Sequence, residues 1–185
     1  MIGELKPEAG RLLLAEPFML DPNFKRSVVY LTEYNEMGAV GFVLNQPSIL
    51  SLKDIIEDIE VDFPVYIGGP VENNTLHFLH STGEQIDDSK EISNGIYWGG
   101  NFETIKVLLD KNYLSEEEIR FFIGYSGWSP GQLEDEMNEN AWLVAESHRD
   151  FIFHQNDNAL WAGVVKSMGK KYQHIVNFPQ DPNMN

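Results

Sequence analysis

The sequence predicts a single α+β domain, and three observations carry that reading. The chain has 185 residues, the size of one domain. Its 42% hydrophobic and 12% aromatic content is enough for an independent core. Strand-like and helix-like segments interleave irregularly, without the regular alternation of a βαβ series. The core is expected over residues 10–169, with a short extension at 1–9 and a weakly patterned tail at 170–185 that is expected to fray.

Taken in order, Arg11–Glu16 is an apolar run stopped by Pro17, and Ser27–Glu33 is β-branched and aromatic, so both read as strands. Gly38–Asn45 continues the pattern after the turn-forming Asn35–Gly38, which predicts a hairpin with the preceding strand. Ser51–Ile59 places apolar residues at 52, 55, 56 and 59, one face of a helix that Ser51 is positioned to cap. Pro64–Pro70 and Thr75–Ser81 read as strands around a Gly-Gly-Pro-Val turn. Asn101 opens a helix to Lys111 with Phe102, Ile105, Leu108 and Leu109 in one stripe.

Glu118–Tyr125 reads as a strand feeding a glycine turn and a third helix. Ser129, Pro130 and Gln132 match a helix start: cap, proline in the first turn and capping-box partner. Ala141–Ala145 reads as a strand, Arg149–His154 as a short helix, and Asp157–Met168 as a helix closed by Gly169.

Thirteen Lys+Arg against 29 Asp+Glu give a formal net charge of −16. A surface that repels phosphates lacks the electrostatic term behind non-specific nucleic-acid affinity, so direct DNA binding is not expected, nor is binding to anionic membranes. The basic residues are scattered, with Lys25-Arg26 and Lys170-Lys171 the only adjacent pairs. With no cysteine there is no disulfide, thiolate metal site or cysteine nucleophile. The amino terminus carries Glu4, Lys6 and Glu8 without an apolar stretch, and no run approaches the about 20 apolar residues of a membrane span. A cytoplasmic protein is the expectation.

The densest motif is Gly124-Tyr-Ser-Gly-Trp-Ser-Pro-Gly-Gln-Leu-Glu134. It fails as a nucleophile elbow, because after Gly124-Tyr-Ser126 the second glycine comes one residue early and Trp128 takes its place. Ser126 and Ser129 therefore read as turn-shaping and capping residues. The helix start after Ser129 presents free N–H groups for a small anion. Gly68-Gly69-Pro70 follows a strand but precedes no helix, so it is not a phosphate-cradling loop. The two glycine-rich segments are expected to lie side by side and wall the principal concavity, giving a candidate ligand site of Gly68, Gly69, Pro70, Gly127, Trp128, Ser129, Gly131 and Gln132. No catalytic residue, metal ligand or cofactor is assigned. His77 and His80 point to opposite faces of their strand, and the acidic clusters at 54–62 and 134–139 read as solvated helix faces.

The runs Gly10–Ala15, Asp21–Phe24 with Arg26–Val29, Gly38–Pro47, Gly68–Val71 and Gly124–Glu134, followed by Trp142, Phe153 and Trp161, resemble the successive signatures of the bacterial YqgE/AlgH family over about residues 10–169. The resemblance implies a curved, bulged, mainly antiparallel sheet flanked by helices, a cytosolic location and an unsettled biochemical function. For one branch it implies a regulatory role in alginate production, described as transcriptional. The resemblance supplies no catalytic residues, and Ser126 stands where many members have alanine. The expected function is that of a non-enzymatic regulatory or interaction protein acting through a protein partner or small-molecule ligand, with any transcriptional effect indirect. The alternative is a hydrolase with a small-anion or small-molecule pocket.

Overall fold

The computed structural model describes residues 4–181 and 183. Its frame is a ten-stranded sheet that does not close, with strand order β10-β1-β2-β3-β9-β6-β8-β7 and two further strands, β4 and β5, attached beside β9. In chain order the strands are β1 (Arg11–Ala15), β2 (Val28–Asn35), β3 (Gly38–Val43), β4 (Pro47–Ser51), β5 (Pro64–Ile67), β6 (Val71–His80), β7 (Lys90–Ser93), β8 (Ile96–Trp98), β9 (Ile119–Trp128) and β10 (Trp142–Glu146). The helices are α1 (Leu52–Ile55), α2 (Phe102–Asp110), α3 (Gln132–Asn138), α4 (Arg149–Ile152) and α5 (Asp157–Ser167). All the strand pairs are antiparallel except β5 with β9.

Side-chain alternation explains why Leu12, Leu13 and Leu14 are all fully buried: both faces of β1 are covered. Leu12 and Leu14 join Tyr30, Phe42, Trp161 and Val164 under α5, while Leu13 joins Val29, Val43, Trp128 and Trp142 under α3. A third cluster, with Leu52, Phe121, Ile105 and Leu109, lies under α1 and α2. The expected hairpin forms: β2 and β3 pair from Val29↔Val43 to Asn35↔Gly38 with a bulge between Leu31 and Glu33. Asn35 Oδ1 accepts the Met37 N–H at 2.8 Å in its turn. The helix at 102–110 also forms as expected, with Asn101 Oδ1 accepting the Glu103 and Thr104 N–H groups.

Four expectations are corrected. The helix expected at 51–59 stops at Ile55; Asp54 accepts the Ser51 N–H and hydroxyl at its start, but Glu57 and Asp58 stand at its negative end and Asp58 is left-handed (φ 62). The two strands around Gly68-Gly69-Pro70 do not pair with each other, because β9 lies between them. The strand expected to end near Tyr125 runs on to Trp128, through residues that were read as a turn. The tail is docked rather than frayed as far as Phe178: Ile175 is buried in a 3₁₀ turn at Gln173–Asn177, and the Phe178 ring stacks on Phe18 with centroids 5.5 Å apart. Strands β4, β7 and β8 had not been expected at all.

Candidate functional site

The site expected from sequence is built on β9. Its first half pairs with β5 on one side (Val65↔Phe121 to Ile67↔Ile123) and with β6 on the other (His80↔Ile119 to Leu76↔Ile123). Its second half pairs with β3 (Gly41↔Ser126 to Ala39↔Trp128). The change of partner occurs at Gly124, whose φ of 67 is open to glycine at no steric cost. At the same point residues 68–70 carry the chain from β5 across the β9 backbone into β6. A Cβ on Gly68 would sit 2.5 Å from the Gly124 carbonyl oxygen, and one on Gly69 would overlap the Tyr125 carbonyl and the Ser126 nitrogen. Backbone crosses backbone here, and the glycines are what let it.

Hydrogen bonds lock the crossing. The Gly68 N–H donates to Ile123 O at 2.9 Å, and the Gly68 carbonyl accepts from the Val43 N–H at 2.8 Å and the Ser126 hydroxyl at 3.0 Å. Ser126 is completely buried. Its hydroxyl is a strut of the crossing.

Trp128 lies in the core against Trp142 and Phe24. Its indole N–H donates to Glu136 Oε2 at 2.9 Å, and the Trp142 indole donates to the same oxygen at 2.7 Å. Ser129 does not cap α3. The cap is Gly131, left-handed at φ 80, and the helix starts at Gln132. Only half of the expected capping box exists: Gln132 Oε1 accepts the Ser129 N–H at 3.0 Å, while Gln132 Nε2 donates to Glu136 Oε1 at 3.0 Å.

The two glycine-rich segments thus touch, but they do not wall one cavity together. Gly68 and Gly69 are buried beneath the crossing and Pro70 is exposed. Gly127, Trp128 and Ser129 line an open groove of about 490 Å³ with Val40, Val71 and Tyr125, rimmed by Glu33. Gly131 and Gln132 lie outside it, on the surface. Tyr34, beside Glu33, donates to Glu134 Oε1 at 2.7 Å, and that bond to a carboxylate raises the phenol above its usual pKa.

Two further constellations were not expected. Arg120, 3% exposed in an otherwise apolar stretch of β9, donates through Nη2 to His154 O at 2.7 Å and lies 4.6 Å from the Tyr66 ring centroid. The Tyr66 hydroxyl donates to Asp157 Oδ1 at 2.9 Å. His154 Nε2 is 3.1 Å from the same oxygen but out of line for a hydrogen bond. Burial, then Arg120, pushes His154 down to about 4 against the pull of Asp157, and burial lifts Tyr66 to about 12. At the pH of a cell this imidazole is neutral, and among the described residues no serine or threonine is hydrogen-bonded to it. The second constellation, Arg26 with Asn45 and Trp161, borders a hollow of about 600 Å³ beside the tail. The clue to the first was a lone arginine between isoleucine and phenylalanine; the second joins three residues far apart in the chain and has no local signal.

His77 and His80 do face opposite sides of β6: His77 packs near Phe42 and Tyr125, while the buried His80 bonds Gly99 O and Thr82 Oγ1. Among the described residues no helix is long and apolar enough to cross a membrane.

The AlgH-like family model matches residues 12–173. A UPF0301 protein of Chlorobium phaeobacteroides is 42% identical over 187 residues, covering 100% of both chains. One of Chlorobium chlorochromatii is 45% identical over 181 residues, covering 97% of this chain and 96% of its own. Among solved structures, a Corynebacterium diphtheriae protein superposes with a TM-score of 0.79 at 23% identity, covering 96% of this chain and 95% of that one, a likeness of fold. The solution structure of AlgH from Pseudomonas aeruginosa superposes at 0.74 with 27% identity, covering 96% and 98%. With sequence and fold matching over almost the whole length, the chain belongs to the AlgH-like family of UPF0301 proteins.

Proposed function

We propose that this protein is a non-enzymatic interaction protein of the bacterial cytoplasm, and that the groove along Gly127–Ser129 receives a basic, partly apolar segment of a partner protein. The observation that carries the reading is the state of the dense motif. Ser126 is buried and bonded to Gly68 O, Glu136 is spent on two indoles, and Gln132 is turned back on its own helix start. What remains facing the groove is backbone at Gly127 and apolar surface at Val40, Val71 and Tyr125, with Ser129, Asn35 and Glu33 beside them. Among the described residues the Ser129 hydroxyl has no base hydrogen-bonded to it, so this surface is suited to recognition rather than to nucleophilic attack. Glu33 at the rim, 3.6 Å from Lys90 Nζ, and above all the net charge of −16 favour a cationic partner and disfavour nucleic acid, so any effect on transcription runs through that partner.

The hydrolase alternative has its best support in the Arg120, Tyr66, His154 and Asp157 cluster. Against it, the only hydroxyl there is a phenol held protonated by burial.

The chain has no cysteine, so Ser129→Cys labelled with a polarity-sensitive dye reports on the groove alone. A basic apolar peptide should change its emission saturably, while a glutamate-substituted peptide and duplex DNA should not. A response to DNA, or fluorophosphonate labelling of Ser126 or Ser129 in the parent chain, defeats the reading.

A further inference from the structure

The Lys25-Arg26 pair has no part in the groove. It borders the hollow of about 600 Å³ whose lining includes Trp161 of α5 and the Phe178–Gln180 segment of the tail. Arg26 is held there by its backbone, which is left-handed at φ 53, a conformation uncommon for a non-glycine residue. Asn45 fixes the kink, accepting the Val28 N–H at 3.0 Å and donating to the Arg26 carbonyl at 2.9 Å. The guanidinium carbon then lies 4.2 Å from the Trp161 ring centroid. That ring is itself anchored, its N–H donating to Ala15 O at 2.9 Å.

An arginine resting on an indole face is pre-organised, with its donor fork fixed in space. Nη2 donates to the backbone carbonyls of Phe178 at 2.7 Å and Pro179 at 3.3 Å. Nε is buried and has no acceptor among the described residues. The Nε–Nη2 edge is one that a carboxylate or phosphate grips with two parallel charge-assisted hydrogen bonds. Here half of it is taken by neutral carbonyls and half is unused.

We propose that this edge of Arg26 is a binding site for an oxyanion, a carboxylate or phosphate group carried by a small ligand, and that the segment Phe178–Gln180 is a strap closing it. Lys25 adds a second positive charge at the rim; among the described residues Asp157, which accepts from the Tyr66 hydroxyl, is the one carboxylate lining the hollow, and Glu16 lies near enough to attract the Arg26 guanidinium. The strap is lightly held. Phe178 is 38% exposed and stacked on Phe18, whereas Ile175 just before it is buried. The strap can therefore lift at Phe178 without unseating the turn that precedes it, and it lies beyond the span matched by the family model.

The test compares the full chain with one ending at Asn177, both titrated with inorganic phosphate and with acetate. The chain has four arginines, so the Nε–Hε resonance of Arg26 is readily assigned by substitution. In the shortened chain either anion should shift that resonance, with half-saturation at roughly tenfold lower concentration than in the full chain, the factor for a strap closed about nine-tenths of the time. Stronger binding of phosphate than acetate identifies a phosphoryl ligand, and the reverse a carboxylate. Arg26→Lys in the shortened chain keeps the charge but loses the fork, and phosphate should then leave the Trp161 indole N–H resonance unmoved. Should the shortened chain melt below the parent, Phe178→Ala in the full chain replaces it. The proposal is overturned by shifts no larger than chloride gives at equal ionic strength, by equal half-saturation with and without the strap, or by undiminished binding in Arg26→Lys.

Discussion

Replacing Gly69 by alanine tests the backbone crossing directly. The added Cβ meets the Tyr125 carbonyl and the Ser126 nitrogen, main-chain atoms of a strand paired on both sides, so no flexible side chain can yield. The link must lift instead, and three hydrogen bonds at Gly68 depend on its place: those with Ile123 O, the Val43 N–H and the Ser126 hydroxyl. Weakening all three at about 1 kcal/mol net each gives roughly 3 kcal/mol, and overpacking taken instead as the measure gives about 1–3 kcal/mol, so the cost is roughly 3 kcal/mol by either route and the two are not added. For a domain of this size that lowers the melting temperature by about 6–12 °C. Gly163→Ala is the matched control. Gly163 is exposed within α5, with nothing within 4 Å of the added methyl, so alanine there should raise stability by about 0.5–1 kcal/mol. Thermal and urea unfolding followed by circular dichroism measure both. A Gly69→Ala protein that melts within a degree or two of the parent would mean that the crossing is loose and that its glycines have another purpose.

Other consequences are equally open to measurement. Ser126→Ala should cost about 1 kcal/mol, since Gly68 O keeps its bond from Val43, whereas Ser129→Ala should stay within about 0.5 kcal/mol because that hydroxyl caps nothing; urea midpoints in the reverse order contradict the assignment of Gly131 as the cap. Glu136→Ala leaves two indole N–H groups without their charged acceptor and should cost roughly 2–4 kcal/mol, with a change in tryptophan emission; unchanged emission would mean the indoles do not share that carboxylate. His154 has a folded pKa of about 4, below the ordinary 6.5. The unfolded chain therefore binds the proton more readily, and the stability this contributes is complete above about pH 6.5 and lost as pH falls toward 4, up to roughly 3 kcal/mol. His77 and His80, also lowered by burial, steepen the same slope. Unfolding midpoints measured between pH 7.5 and 4.5 should be flatter for His154→Gln, and identical profiles would remove this imidazole from the account.

Local signals made much of the fold readable. The Asn35–Gly38 hairpin, the Asn101 cap and the closure of α5 before Gly169 each depend on a few neighbouring residues, and each was read correctly. The β7–β8 hairpin, absent from the expected elements, carries a local signal too: Asn94-Gly95, both at positive φ, is a strong short-range hairpin signal. The errors at Gly124–Trp128 differ in kind. Glycine and serine there mimic a turn, but two partner strands, β3 and β6, hold residues 125–128 extended, and tertiary pairing overrides local preference. The same pairing explains why adjacency of the two glycine-rich segments could be anticipated while their burial could not. Glycines that admit a ligand and glycines that admit another backbone look identical in sequence.

The link of residues 68–70 also dictates an order of assembly. Strands β5 and β6 are joined by only those three residues, yet the strand between them is not synthesised until residues 119–128. Until then neither can complete its hydrogen-bond ladder, and β1 likewise waits for β10. Such distant pairings make folding slow, and the waiting edges are open to the wrong neighbours. A nascent chain released before Trp128 has no strand with which to fill the slot. For this protein the final third of translation is when the sheet becomes possible, and chaperone demand should be concentrated in the interval before it.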